Sequence, residues 1–244
     1  MRSAPRSLNV TMLRLNERHR QPEIMDHPAL SAAEHVAALR GLSRLNFAGN
    51  NPGLIWSVLK DLSGKSGDTM RVLDIATGGG DVPLALAKRA HKAGLRMEFA
   101  GCDISPLAID YARSRAAAAG ARVEYFEHNV LDQPLPAGYD ACICSLFLHH
   151  LSWEQAVGLL RRMADASGRL IVVSDLNRTP ASMLMTLAAS YLLTRSKVVH
   201  VDGPRSVQAA FNLQEATQLA HAAGLTDFHL RAAFPCRFLL TWRR

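Results

Sequence analysis

The stretch Val72-Leu73-Asp74-Ile75-Ala76-Thr77-Gly78-Gly79-Gly80-Asp81-Val82-Pro83 constrains this chain more than any other. A short apolar run carrying one acid meets three consecutive glycines, and a helical pattern follows from Val82 to about Lys92. That order reads as a strand, a tight turn and a helix. Glycine allows positive φ and lets a ligand approach bare backbone. The helix N-terminus beyond the turn offers free N–H groups. Further strands are expected at about 97–102, 122–127, 140–145 and 169–174, and further helices at about 105–118 and 152–165. Ser105-Pro106 and the pair Ser152 with Gln155 are helix starts. Such βαβα alternation implies a doubly wound α/β sheet with right-handed crossovers.

Two helices are expected before the first strand. Ser31 and Glu34 form a capping box for a helix to about Leu45, and Asn51 with Pro52 opens another through Leu62. Asn46, Asn50 and Asn51 read as turn and cap residues. Residues 1–24 read as a flexible basic tail carrying Arg2, Arg6, Arg14, Arg18 and Arg20, and 63–67 as a linker. The division is therefore 1–64, a tail and helical cap, and 65–244, the main domain. After the fifth strand the alternation breaks. A segment from Met183 to Leu193 is apolar almost all round, and His200-Val201-Asp202-Gly203-Pro204-Arg205 reads as a loop. Together they form an insertion at about 178–211, placed to cover a crevice at the strand ends. A third capping box, Asn212 with Glu215, opens a helix that stops at Gly224. Leu225–Ala233 and Cys236–Thr241 read as a terminal antiparallel pair.

Composition narrows the class. The 244 residues are 48% hydrophobic and 20% charged, ordinary for a chain with one sizeable core. Cys102, Cys142, Cys144 and Cys236 show no C-x-x-C spacing, which suits reduced thiols and a cytoplasmic protein. No apolar run reaches the roughly 18 residues of a membrane span. The net charge of +7 and pI of about 9.6 leave nucleic acid open as a partner. The Arg-rich start suits either a solvated tail or a transit peptide.

Two cofactor classes use such a glycine turn. The dinucleotide fingerprint needs a third glycine where Pro83 stands. The alternative is S-adenosylmethionine, whose loop reads D-x-G-x-G-x-G, matched here by Asp74, Gly78 and Gly80 with Ala76 for the first glycine. Asp103 lies 23 residues beyond Gly80, at the end of the second strand, where a carboxylate can accept from a ribose diol. His128-Asn129-Val130 offers groups for an adenine edge. Taken in order, Leu73–Asp81, Gly101-Cys102-Asp103-Ile104-Ser105 and Ser145-Leu146-Phe147-Leu148-His149-His150-Leu151 resemble the class I S-adenosylmethionine-dependent methyltransferases, in the small-molecule branch that includes quinone-biosynthesis enzymes. The resemblance spans roughly 70–176 and the terminal strand pair. It implies a seven-stranded Rossmann-like sheet ending in an antiparallel hairpin. It also implies that Asp74 holds the cofactor's amino group, directly or through water, that Gly78 and Gly80 flank its methionine part with Ala76 and Thr77 also among the cofactor-binding residues, and that Asp103 binds the ribose. Ile104 would pack on adenine, Asn129 and Val130 would meet its edge, and Ser145 would face the methionine end.

Methyl transfer to a phenol is helped by a base, and histidine, with an unperturbed pKa of about 6.5, suits near neutrality. His149 or His150 is the candidate, with at most one of these neighbours pointing inward; His200 with Asp202 is the rival. Asp175, Met183, Leu187, Tyr191, Asp202 and Arg205 are candidate acceptor contacts. The oily insertion favours a small lipophilic aromatic acceptor such as a phenol, quinol or polyketide, and allows peripheral contact with a membrane. No metal-ligand spacing stands out. A nucleic-acid methyltransferase is the alternative, although no Asn/Asp-Pro-Pro-aromatic turn follows strand 4 and Cys144 lacks a preceding proline. A non-catalytic cofactor-binding module is the other.

Overall fold

The computed structural model describes residues 15–27, 29–63 and 69–244. Arg2, Arg6, Arg14 and the Gly64–Gly67 part of the expected linker lie outside the described residues. Helices α1 (Ala32–Ala48) and α2 (Asn51–Ser63) precede β1 (Met70–Ile75), α3 (Asp81–Ala93), β2 (Met97–Asp103), α4 (Pro106–Ala118), β3 (Val123–Glu127) and β4 (Tyr139–Ser145). Then come a short 3₁₀ turn (Leu148–His150), α5 (Trp153–Ala166), β5 (Ser167–Leu176), α6 (Pro180–Leu193), α7 (Lys197–Ala209), α8 (Leu213–Ala222), β6 (His229–Ala233) and β7 (Arg237–Arg243). The seven strands run β3-β2-β1-β4-β5-β7-β6, with β7 antiparallel to both neighbours and the remaining pairs parallel. This is the expected doubly wound sheet with its terminal hairpin.

Both faces of the sheet are covered, so the central strands are continuously apolar rather than alternating. Leu73, Ile75, Cys142, Cys144, Ile171 and Val173 face one core with Leu159, Leu160 and Met163 of α5. The intervening Val72, Ile143 and Val172 face the other, with Ile55 and Leu59 of α2 and Leu86 of α3. The strand order reverses beside β1, so β1 and β4 leave their C-terminal ends as the floor of a crevice. All three expected capping boxes are present, at Ser31, Ser152 and Asn212.

Three expectations are corrected. Within the tail, residues 15–24 are packed rather than loose. Leu15 is buried with Met183 and Val207. The Arg18 guanidinium lies 3.7 Å from the Phe211 ring centroid and donates to the carbonyls of His149, Leu151 and Ala209. The expected loop at His200–Arg205 is helical, within α7. Asp-Gly-Pro is a local turn signal, but Ser196 caps the helix by accepting from Val199 N, and Pro204 sits inside it. Finally, Asn51 is the first helical residue and not a cap. Its buried side chain accepts from the Ser174 hydroxyl at 2.7 Å. Asn46 is likewise buried and bonded to Asp81 and Arg237.

Candidate active site

A cavity of about 620 Å³ opens over the C-terminal ends of β1, β2, β4 and β5. Its floor is the turn Ala76–Gly79, Asp103–Ser105, His128–Leu131 and Ser145–Phe147. Its walls come from far along the chain: Arg20, Glu23 and Met25 from the N-terminal strap, Leu39 and Asn46 from α1, Met185 and Ala189 from α6, and Arg237 from β7. Three non-glycine residues with positive φ, Ala76, Leu146 and Cys236, all line it. Left-handed backbone is unfavourable for residues with a Cβ, and such strain concentrates at functional sites. Ala76 in place of glycine therefore adds backbone strain as well as a methyl group.

At one end, the Asp103 carboxylate is held by Gly78 N at 2.8 Å and Ser105 N at 2.9 Å. Burial pushes its pKa up, while these N–H donors pull it down. The fixed carboxylate keeps lone pairs for a vicinal diol. Gly78 has φ +52°, and a Cβ there would meet only Leu39, at 3.9 Å, so bare backbone faces the cavity. Ile104 is 66% exposed at the rim, where a flat ring can lie on it. His128 Nε2 is buried without a hydrogen-bond partner among the described residues and lines the same end. These features fit an adenosine. Thr77, Val130 and Ser145 also line the cavity.

Three cofactor expectations change. Asp74 does not line the cavity: it is buried below Thr77, whose hydroxyl donates to it at 2.6 Å. Burial pushes the Asp74 pKa up to about 8. Gly80 sits behind the turn, where a Cβ would come within 2.6 Å of Tyr125 Oη, so this glycine serves packing. Asn129 lines the cavity, but its amide is engaged by Asp132 and Leu131 N.

At the other end, His149 is 4% exposed and its Nδ1 lies 2.7 Å from Asp175 Oδ1. Phe147 N and Leu176 N also donate to that carboxylate. Burial pushes Asp175 up, but His149 and these donors override it, and the net shift is downward. An ionised carboxylate only accepts, which puts the proton on Nδ1 and leaves Nε2 as the acceptor. His149 and His150 both line the cavity, with ring centroids 4.4 Å apart. The expectation that at most one points inward is corrected, because the 3₁₀ turn lets neighbouring side chains converge. Sequence reading missed their common neighbour, Glu23, whose carboxylate lies 3.9 Å from His149 Nε2 and 3.8 Å from His150 Nε2. Ser206 also donates to Glu23. Only its place in the folded strap reveals it.

The insertion lines the cavity with only part of its oily run. Met185, Thr186, Ala189 and Leu193 line it, while Met183, Leu187 and Tyr191 do not. Met183 is buried against Leu15 and Val207, and Tyr191 stacks on His200 at 4.2 Å between centroids. Asp175 supports His149 from behind the wall. His200 bonds to Thr194 O, Asp202 accepts from Ile24 N and Met25 N, and Arg205 donates to Pro22 O; none of the three lines the cavity. The rival base pair is thus not assembled there. Burial pushes the Cys102 and Cys142 thiols up to about 12 and Cys144 upward as well, so none suits a nucleophile.

Residues 72–167 match the family model described as a methyltransferase domain. The chain is 38% identical over 105 residues to a demethylmenaquinone methyltransferase of Thermus thermophilus, a match covering 42% of this chain and 46% of the relative. It is 28% identical over 181 residues to a ubiquinone biosynthesis O-methyltransferase of Bordetella parapertussis, covering 73% of this chain and 69% of that one. The chain spans less than half the length of the demethylmenaquinone methyltransferases it matches. Among solved structures, magnesium protoporphyrin IX methyltransferase from Synechocystis, with bound S-adenosylhomocysteine, superposes with a TM-score of 0.55 at 15% identity, covering 98% of this chain and 95% of the other. The fold is that of the class I methyltransferases.

Proposed function

We propose that this chain transfers a methyl group from S-adenosylmethionine to a hydroxyl oxygen of a small, lipophilic aromatic acceptor, a phenol or quinol. One observation carries the reading: a single cavity joins the Asp103–Gly78 cradle to the buried His149–Asp175 pair. The relatives named for demethylmenaquinone and ubiquinone biosynthesis support the acceptor class. The bound cofactor would supply an electrophilic methyl group on a sulfonium centre. Asp103 would accept from the ribose hydroxyls, Gly78 would let the cofactor lie on the backbone, and Ile104 and His128 would flank adenine. His149 Nε2 would take the acceptor's hydroxyl proton, and Asp175 would hold the ring in that tautomer and offset its charge once protonated. Strap, α1 and α6 would exclude water and fix the approach, which is much of the catalysis in a displacement of this kind.

Titration calorimetry tests the cofactor half. S-Adenosylhomocysteine should bind and NAD should not. Asp103→Ala should weaken the former by about 1.5–3 kcal/mol, the usual worth of hydrogen bonds to a charged group. Unchanged affinity in the variant would sink the assignment.

The outer face of α6 supports a further part of the reading. Leu184, Tyr191 and Leu192 are exposed there, close in sequence to Arg195 and Lys197. An oily face with basic neighbours suits peripheral contact with a lipid surface, where such acceptors partition. Among the described residues no helix is long and apolar enough to cross a membrane. Cosedimentation with anionic vesicles should fall when Leu184 and Leu192 are both changed to Ser; equal binding by that variant refutes the contact.

A further inference from the structure

Arg237 opens β7 at the cavity wall and is only 6% exposed. Its Nη2 donates to Asn46 Oδ1 at 3.1 Å. Its Nη1 is buried and has no hydrogen-bond partner among the described residues. Burial pushes the guanidinium pKa down to about 10, so it remains charged at neutral pH. A buried charge with an open donor edge is unfavourable unless something pairs with it. The Asn46 amide donates in turn to Asp81 Oδ2 at 3.1 Å, so an acid stands one side chain away from the cation. Asp81 and Asn46 also line the cavity. Guanidinium forks match carboxylates, and the acid beside it matches an ammonium group.

We propose that Arg237 is a carboxylate-binding residue, reached from β7, that takes an acid group presented inside the cavity. Two molecules could carry that group, the amino-acid end of the cofactor or an acid-bearing aromatic acceptor. The neighbouring Asp81 carboxylate, which accepts from Asn46 and lines the cavity, makes an α-amino acid the better complement, although burial pushes its pKa up as it does that of Asp74. This rests on the methyl-transfer reading above, and it moves recognition of the charged end from Asp74 to Asp81, Asn46 and Arg237.

The test uses the full chain and four probes. S-Adenosylhomocysteine is compared with 5′-methylthioadenosine, which keeps the adenosine and thioether but lacks the amino acid. 4-Hydroxybenzoate is compared with its methyl ester. Arg237→Gln should weaken S-adenosylhomocysteine by roughly 10- to 150-fold, as expected for lost hydrogen bonds to a charge, and leave 5′-methylthioadenosine within about threefold. Arg237→Lys should recover part of that loss, since it keeps the charge and loses the fork. If both nucleosides bind unchanged while 4-hydroxybenzoate alone loses affinity, the acid group belongs to the acceptor and the proposal stands. It is overturned if all four probes bind as in wild type, or if the two nucleosides weaken equally. Should the Gln variant fail to fold, the Lys variant carries the same comparison. A wild-type chain that binds neither nucleoside refutes the cofactor reading separately, and the benzoate pair still tests Arg237.

Discussion

Alanine at His149 should lower kcat by at least about 10²-fold, the lower end of what a positioned base contributes. The ring is buried and lines the cavity, its Nδ1 is committed to Asp175, and its Nε2 lies 3.9 Å from the Glu23 carboxylate. Cofactor affinity should stay within roughly threefold, because the imidazole acts on the acceptor. Asp175→Asn should reproduce most of the loss, since an amide no longer enforces the tautomer. His150→Ala should do much less, because the 2.7 Å bond to the buried Asp175 carboxylate belongs to His149. Near-normal kcat in His149→Ala would remove the base from this position. The same kcat with an already acidic phenol, but not with an ordinary one, would leave the role in place.

The second large effect is on stability. Arg178 has no exposed side-chain surface and makes a bidentate pair with Glu215 at 2.6 and 2.8 Å. It also donates to the carbonyls of Leu15 and Ala210. One guanidinium thus ties the strap, the end of α7 and the start of α8 together. Glu215→Ala leaves that cation buried without its carboxylate and removes a capping box as well. Breaking one side of a buried pair typically costs about 3–5 kcal/mol. Chemical denaturation should show a midpoint shift of that size with little change in slope. A loss below about 1 kcal/mol would mean the strap is not anchored this way.

What could be read in advance follows from the range over which each signal acts. Strand 1, the glycine turn and the three capping boxes are local patterns, and each falls where its residues predict. So does Asp103, because strand ends form the crevice in any sheet of this kind. The inward face of α6 was not legible. A helix that is apolar on every side carries no directional signal, and Met185 rather than Met183 lines the cavity only because Leu15 and Val207 take the other face. Helix α7 was missed because Asp202-Gly203-Pro204 is a turn signal that tertiary packing overrides. Glu23 and Arg237 are invisible in sequence for a plainer reason. Glu23 lies 126 residues before His149, and Arg237 lies 191 after Asn46. Nothing local links either pair.

The late position of β7 has a consequence for synthesis on the ribosome. β7 is the strand that pairs with the outer edge of β5, yet it begins 61 residues after β5 ends, at Arg237 against Leu176. At ordinary translation rates the β5 edge waits roughly 3–12 s for its partner. During that interval the nascent sheet offers an open ladder to other chains. The cavity also lacks its β7 wall until then, so a growing chain cannot close its site on a ligand before β7 is made.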